Sequence, residues 1–341
     1  MVGLGSIGQR HMRNLRALLG EEVSFFAYRV RKLNDLLADN LDIIQGKKLE
    51  DEYDLKIYDN LDQALSTRPD VVFVTNPTSE HIEVAISAAK AGCDIFIEKP
   101  LSHSMDKVHE LQQIVRERHL ICCVGFQNRF HPAIQMVHKL ISERSIGNIL
   151  AVNAEVGDYL PNWHVYEDYR ISYAARRDMG GGVVLTQIHE LDYLYWFFGL
   201  PRRVFAMGGK LSNLEIDVED IASMMLEFPI DGRLVPVHLH ADYIQRPTSR
   251  GLKVIGDKGK IIVDIVENTL LLYSEKGELV EKSLFDNFNR NDMFINELKS
   301  FLESVRNRTE PFVTVEDGIA SLKIAIAVKQ SITDGHPINL I

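Results

Sequence analysis

Short apolar runs alternate with stretches of helical periodicity over residues 1 to about 122. The runs are Met1-Val2, Val23 to Tyr28, Val71 to Thr75, Asp94 to Ile97 and Leu120 to Val124. Between the first two, apolar residues at positions 7, 12, 15, 18 and 19 fall on one helix face, and Gly20 is placed to end that helix. Residues 80–91 and 105–119 predict further helices. This alternation predicts βαβ units around a parallel sheet. Gly3 follows only two residues of what should be the central strand, which normally needs about five, so that strand is expected to begin upstream of Met1.

Beyond Phe126 the texture changes. Pro132 to Ser142 predicts a helix, Ile149 to Asp158 a strand, and Gly182 to Phe198 one helix behind a triple glycine. From Val204 to Val280, turn signals such as Asp231-Gly232, Asp257-Lys258-Gly259 and Lys276-Gly277 separate about five or six short strands of an antiparallel sheet. Residues 293–307 and 315–333 read as closing helices. The predicted fold class is α/β. An N-terminal dinucleotide-binding Rossmann domain spans residues 1–122, and a C-terminal α+β domain with a largely antiparallel open sheet spans 123–341. No flexible linker separates them, which predicts a close interdomain cleft.

Composition narrows the partners. A chain of 341 residues with a net charge of −10 lacks the basic footprint that nucleic acid requires. No stretch reaches the roughly 18 apolar residues of a membrane helix, and no secretory leader opens the chain. Three cysteines, two adjacent at Cys122-Cys123, suit a reducing compartment. A cytoplasmic location is expected. The small basic clusters, Arg29-Val30-Arg31-Lys32 and Arg176-Arg177, could serve an anionic ligand.

Gly3-Leu4-Gly5-Ser6-Ile7-Gly8 matches G-x-G-x-x-G between a strand and a helix. The first glycine makes the turn, the second admits a pyrophosphate, and the third lets helix and strand pack closely. The acidic residue that would bind a ribose 2′-hydroxyl is missing. Tyr28-Arg29 stands there instead, and an arginine can pair with a 2′-phosphate. The expected cofactor is therefore NADP, with NAD the alternative. Lys99 ends a strand at the carboxyl edge of the sheet, where its charge could steady a developing alkoxide. His189, on the helix after Gly180-Gly181-Gly182, is a natural base for a hydroxyl proton.

Several further segments, taken in order, carry a family likeness: Thr75-Asn76-Pro77 with His81, Glu98-Lys99-Pro100, Gly125 to Phe130, and the triple glycine followed by His189. The whole chain resembles the glucose–fructose oxidoreductase / inositol dehydrogenase (Gfo/Idh/MocA) family. The resemblance implies cofactor contacts from Thr75, Asn76, Pro77, His81 and Glu98, and substrate contacts from Asn128 and Arg129. It also implies a substrate-anchoring Lys99, a catalytic base at His189, and an open sheet that makes oligomer contacts, expected in a homodimer or homotetramer. Many members carry an aspartate one turn before the histidine. Thr186 is its closest counterpart here and is taken as a substrate neighbour, which leaves Glu190 or Asp192 to orient the imidazole.

Residues 162–170 are dense in aromatic and hydrogen-bonding groups. Trp163, Tyr166, Arg170 and, further on, Arg176 are candidate sugar contacts, and similar segments in relatives that build surface sugars suggest an acidic or nucleotide-linked sugar. His238 and His240 share a strand face without a completing ligand set, so no metal is predicted. The expected activity is hydride transfer between a nicotinamide and a carbinol of a sugar, sugar derivative or cyclitol. Two alternatives stand beside it. One is an enzyme that uses transient oxidation for elimination or epimerisation, and the other is a non-catalytic dinucleotide sensor.

Overall fold

The computed structural model describes residues 1–29, 35–38, 40–164 and 166–341. Helix α1 (Ser6–Leu19) follows the glycine turn and ends at Gly20. Strands β1 (Phe26–Tyr28), β2 (Asp35–Leu37), β3 (Ile43–Lys48) and β4 (Lys56–Tyr58) come next, with short helices α2 (Leu49–Tyr53) and α3 (Leu61–Ser66). This half closes with β5 (Val71–Val74), α4 (His81–Ala91), β6 (Asp94–Glu98), α5 (Val108–Glu117) and β7 (Cys122–Gly125). β1 pairs with β4, and β5, β6 and β7 pair in turn, all parallel. Val2 bridges Tyr28 on one side and Val74 on the other, so Met1-Val2 joins the two wings at the centre of the sheet. The last strand stays in this sheet through Gly125, past the expected division at residue 122. It is buried along its whole length, and such a run carries no periodicity to mark its end.

The second half comprises α6 (Pro132–Ser142), β8 (Ile149–Gly157), α7 (Val183–Thr186), α8 (His189–Phe198), β9 (Arg203–Gly209), β10 (Ile221–Ile230) and β11 (Arg233–Asp242). It continues with β12 (Ser249–Gly256), β13 (Gly259–Asp264), β14 (Thr269–Ser274), β15 (Leu279–Leu284), α9 (Arg290–Asn307), α10 (Val315–Asp334) and β16 (Ile338–Asn339). Among the described residues these strands form one nine-stranded sheet in the order β15-β14-β13-β12-β8-β11-β10-β9-β16. Only the β8–β11 pair is parallel. Seven strands, β9 to β15, lie between residues 203 and 284, more than the pattern predicts. β15 is exposed at five of its six positions, so it shows no alternation to read.

One face of the sheet is buried through residues such as Ala206, Met224, Val237 and Val254, while Met207, Met225 and Leu234 stand exposed. The C-terminal helices return to the first half. Phe301 of α9 meets the Phe73 and Phe96 rings edge-on, with centroids at 5.9 and 5.4 Å. All three rings are buried, and truncating one such ring typically costs about 3–5 kcal/mol. The two halves are therefore packed together, and the carboxyl edge of the parallel sheet faces the start of α8.

Candidate active site

The glycine turn is shaped by its neighbours. Gly3 has φ +91°, and a Cβ on it would sit 2.7 Å from the Thr75–Asn76 backbone. A Cβ on Gly8 would fall 2.5 Å from the Gly3 carbonyl oxygen. Gly5, by contrast, faces open space. Thr75 holds the turn from behind, its hydroxyl donating to the carbonyls of Val2 and Gly3 at 3.1 and 2.8 Å. No side chain among the described residues caps the N-terminus of α1 through Gly5, and the Asn76 side-chain oxygen is buried without a partner. Helix-end amides beside an open glycine fit a dinucleotide pyrophosphate. Tyr166 meets this turn at Ser6; burial raises its phenol pKa, and hydrogen bonding to the Ser6 hydroxyl and amide works against the rise.

Lys99 emerges at the end of β6. Its Nζ donates to the Thr186 carbonyl at 2.7 Å. That carbonyl is available because the predicted single helix is broken in two: Gln187 leaves helical geometry at φ −99°, ψ 32°, and α8 starts afresh at His189. Burial pushes the Lys99 ammonium down to about 8, with Glu98 working against it.

His189 is 4% exposed. Gln127 Nε2 lies 3.1 Å from His189 Nε2. An amide nitrogen only donates, so this contact makes Nε2 the acceptor and puts the ring proton on Nδ1. Nδ1 itself has no hydrogen-bond partner among the described residues. The imidazole pKa lies well below its ordinary value, first through burial and then through the positive charges of Lys99, Arg250 and Arg290. The ring is therefore neutral at physiological pH and lies beside the half-buried Lys99 cation at the junction of the two halves.

A family model described as "Oxidoreductase family, NAD-binding Rossmann fold" matches residues 1–126, and its companion for the C-terminal alpha/beta domain matches residues 138–340. The chain belongs to the Gfo/Idh/MocA oxidoreductase family. It is 29% identical to a myo-inositol 2-dehydrogenase of Thermotoga maritima, across 100% of this chain and 97% of the relative. It is 26% identical to a scyllo-inositol 2-dehydrogenase (NAD(+)) of Bacillus subtilis, across 100% and 95%. The solved myo-inositol 2-dehydrogenase of Lactobacillus plantarum superposes with a TM-score of 0.78 at 25% identity, covering 100% of this chain and 98% of that one. As in the family at large, this oxidoreductase carries its nicotinamide cofactor in the Rossmann half.

Within that family frame, several expected contacts have other partners in this chain. Arg129 is fully buried and grips Asp192 with two bonds of 2.9 and 2.7 Å, with Asp317 at 3.3 Å. It ties residues 127–130 to α8 and α10. The Thr186 hydroxyl donates to the Gly182 carbonyl at 2.9 Å and also contacts the Tyr243 hydroxyl, so its backbone rather than its side chain serves the site. Glu190 is bound by Arg250 at 2.7 and 2.9 Å, and Asp192 by Arg129. Neither carboxylate orients His189. Gln127 is the ring's neighbour, a role with no signal in the spacing.

Glu98 turns away from the cofactor side and meets His11 at 2.6 Å, because strand alternation points it at α1. His81 is a strut: its two ring nitrogens lie 2.8 Å from the Pro100 and Asn76 carbonyls, tying together the loops after β5 and β6. Arg29 is ion-paired with Glu50. Val30, Arg31 and Lys32 of its cluster, and Val165 of the aromatic segment, lie outside the described residues.

Trp163 packs edge-on against Tyr243 at 5.3 Å, and its indole nitrogen is buried without a partner among the described residues, as is the Asn128 amide nitrogen. Arg170 and Arg176 do not join Lys99. They pair with Asp168 and Glu215, and with Asp178, around an open groove of about 640 Å³ that neither Lys99 nor His189 lines. The triple glycine serves backbone packing: a Cβ on Gly181 would strike the Tyr173 and Ala174 carbonyls. His238 and His240 share a face as expected, each with its own partner, Ser223 and Asp242, both at 3.0 Å. No group of three potential metal ligands occurs among the described residues.

Proposed function

We propose that the protein catalyses reversible oxidation of a secondary hydroxyl on a sugar, sugar derivative or cyclitol, with Lys99 as oxygen anchor and His189 as base. The observation that carries this is the juxtaposition of the half-buried Lys99 cation with the buried neutral His189 imidazole at the edge of the dinucleotide cradle. When bound, the nicotinamide supplies the hydride acceptor or donor. Lys99 can exchange the Thr186 carbonyl for the substrate oxygen and stabilise the charge that grows there. His189 Nε2 can exchange the Gln127 amide for the substrate hydroxyl and take its proton. Trp163, Asn128 and Tyr166 bound the sugar side. The inositol dehydrogenases among the relatives support this substrate class.

For the cofactor, the uncommitted arginine that would select NADP is not free, since Arg29 is paired with Glu50. Glu50 keeps one buried carboxylate oxygen without a partner among the described residues, which supports NAD. The three cysteines are free and buried, which suits the cytoplasm, and the exposed apolar residues of the open sheet face support a homo-oligomer. The test is a panel of polyols, sugars and cyclitols mixed with NAD and with NADP, following nicotinamide reduction. Net reduction that disappears in Lys99→Met supports the proposal. Substrate turnover without net reduction would favour transient oxidation instead, and binding without turnover would favour a sensor.

A further inference from the structure

His11 lies on α1 just past the glycine motif, one helical turn beyond Gly8. Its ring is fully buried and packs against Phe73, Phe96 and Phe294, with centroids at 5.7, 5.0 and 6.2 Å. Inside this aromatic box, Nε2 lies 2.6 Å from Glu98 Oε1. A carboxylate only accepts, so the ring donates. The other oxygen, Glu98 Oε2, accepts the backbone N–H of Lys99 at 3.2 Å. One buried carboxylate therefore joins the helix of the glycine motif to the lysine whose Nζ reaches the Thr186 carbonyl at 2.7 Å.

A buried carboxylate is costly unless donors hold it. This one adjoins a lysine that burial has already pushed down to about 8. The titratable and charged groups around Lys99 are Glu98 beside it on β6, His81 on α4, His189 and Glu190 on α8, Arg250 on β12 and Arg290 on α9. Glu98 does most to favour the ammonium, both arginines oppose it, and Glu190 is already bonded to Arg250. Around Glu98 stand His11, His81, Tyr173 and, from α9, Glu297. Burial raises the Glu297 carboxyl well above its ordinary value, and Glu98 and Asp192 raise it further, so Glu297 is neutral. The negative charge at this corner belongs to Glu98. Without His11 its carboxylate would keep only the Lys99 amide as donor among the described residues, and a buried carboxylate so stripped is driven toward its neutral form.

We propose that the His11–Glu98 pair holds Lys99 in its ammonium form and in its place at the junction of the two halves. His11 is a positioning residue, since it acts on the lysine through Glu98. The inference rests on the reading of Lys99 as oxygen anchor and deepens it. A charged amine steadies a developing alkoxide and a neutral one does not. With Lys99 already near 8, losing the Glu98 charge would leave much of it neutral at physiological pH.

The test follows the Lys99 amine itself in the full chain. Competitive labelling with a trace of acetic anhydride across the alkaline range, read by mass spectrometry of the peptide that carries Lys99, gives the midpoint of its titration. Wild type, His11→Phe, His11→Leu, His11→Gln and Glu98→Gln are compared, with thermal stability measured on each. The wild-type midpoint is expected at about 8. His11→Phe and His11→Leu remove the donor with two different shapes, so one folded variant suffices. Each should lower the midpoint by about one pH unit or more, as should Glu98→Gln. His11→Gln keeps an N–H donor and should restore the midpoint in part. A merely structural histidine would lower stability and leave the midpoint in place. A midpoint unmoved or raised in the folded His11→Phe or His11→Leu, or one that falls as far in His11→Gln, overturns the inference even if Glu98→Gln lowers it. Labelling needs no turnover, so the two readings fail separately. If the midpoint falls as expected while Lys99→Met keeps net reduction of the cofactor, the oxygen-anchor role fails and the coupling of His11, Glu98 and Lys99 stands. If Lys99→Met abolishes reduction while the midpoint is unmoved, the anchor role stands and this inference fails.

Discussion

Lys99 Nζ is held 2.7 Å from the Thr186 carbonyl oxygen, which ties the edge of the Rossmann sheet to a break between two helices of the other half. A continuous helix over 182–198 would direct that carbonyl into its own ladder. The break presents it to the lysine and sets His189 at a fresh helix N-terminus, where the backbone dipole also disfavours a protonated ring.

From this geometry follows a pH profile. His189 is depressed well below the ordinary imidazole value and must be neutral to act, so the acid limb of kcat/KM should lie well below pH 6.5. Lys99 is active when protonated and titrates at about 8, so the rate of alcohol oxidation should fall as pH rises through that value. Lys99→Arg should carry the alkaline limb to higher pH. An acid limb near 6.5, or an alkaline limb unmoved in Lys99→Arg, would count against these roles.

Thr186 is expected to matter for stability rather than chemistry. Thr186→Val keeps the shape and the carbonyl, and it strips the hydroxyl from Tyr243 and Gly182. Leaving a buried partner unsatisfied costs about 1–3 kcal/mol, so thermal denaturation should shift while KM and kcat stay within a few-fold. A selective rise in KM with unchanged stability would return the hydroxyl to the substrate site.

Arg129 should likewise behave as a strut. Removing one partner of a buried ion pair costs about 3–5 kcal/mol, so Arg129→Leu should lose stability on that scale. A variant of wild-type stability with weakened substrate binding would contradict the structural assignment.

Arg29, just after β1 of the Rossmann half, forms an ion pair with Glu50. We propose that Glu50→Gln, which breaks this ion pair, tightens NADP binding by about tenfold, the scale of one charge-assisted contact. Unchanged affinity for both dinucleotides, measured by fluorescence titration, would remove Arg29 from the 2′ position.

The sequence makes the Rossmann half legible because glycine spacing and buried parallel strands leave strong local patterns. Lys99 and His189 are visible through their motifs. Partner choice is not. Arg129 and Arg170 look alike in sequence, yet one is walled in by Asp192 and Asp317 and the other lies on an open groove. Gln127 and Arg250 reach the site from a turn and a strand more than a hundred residues apart, so only tertiary packing brings them together. The helix break at Gln187 was equally hidden, because Val183 to Thr186 and His189 to Phe198 share one apolar texture with no glycine or proline between them.

The most direct test of the central claim is single-turnover hydride transfer in His189→Ala, with cofactor affinity measured on the same preparation. General base catalysis contributes about 10²–10⁴-fold. The predicted result is a fall of that order in the rate of transfer with dinucleotide binding intact. Transfer at a near-normal rate would contradict the assignment and leave His189 as a buried structural residue.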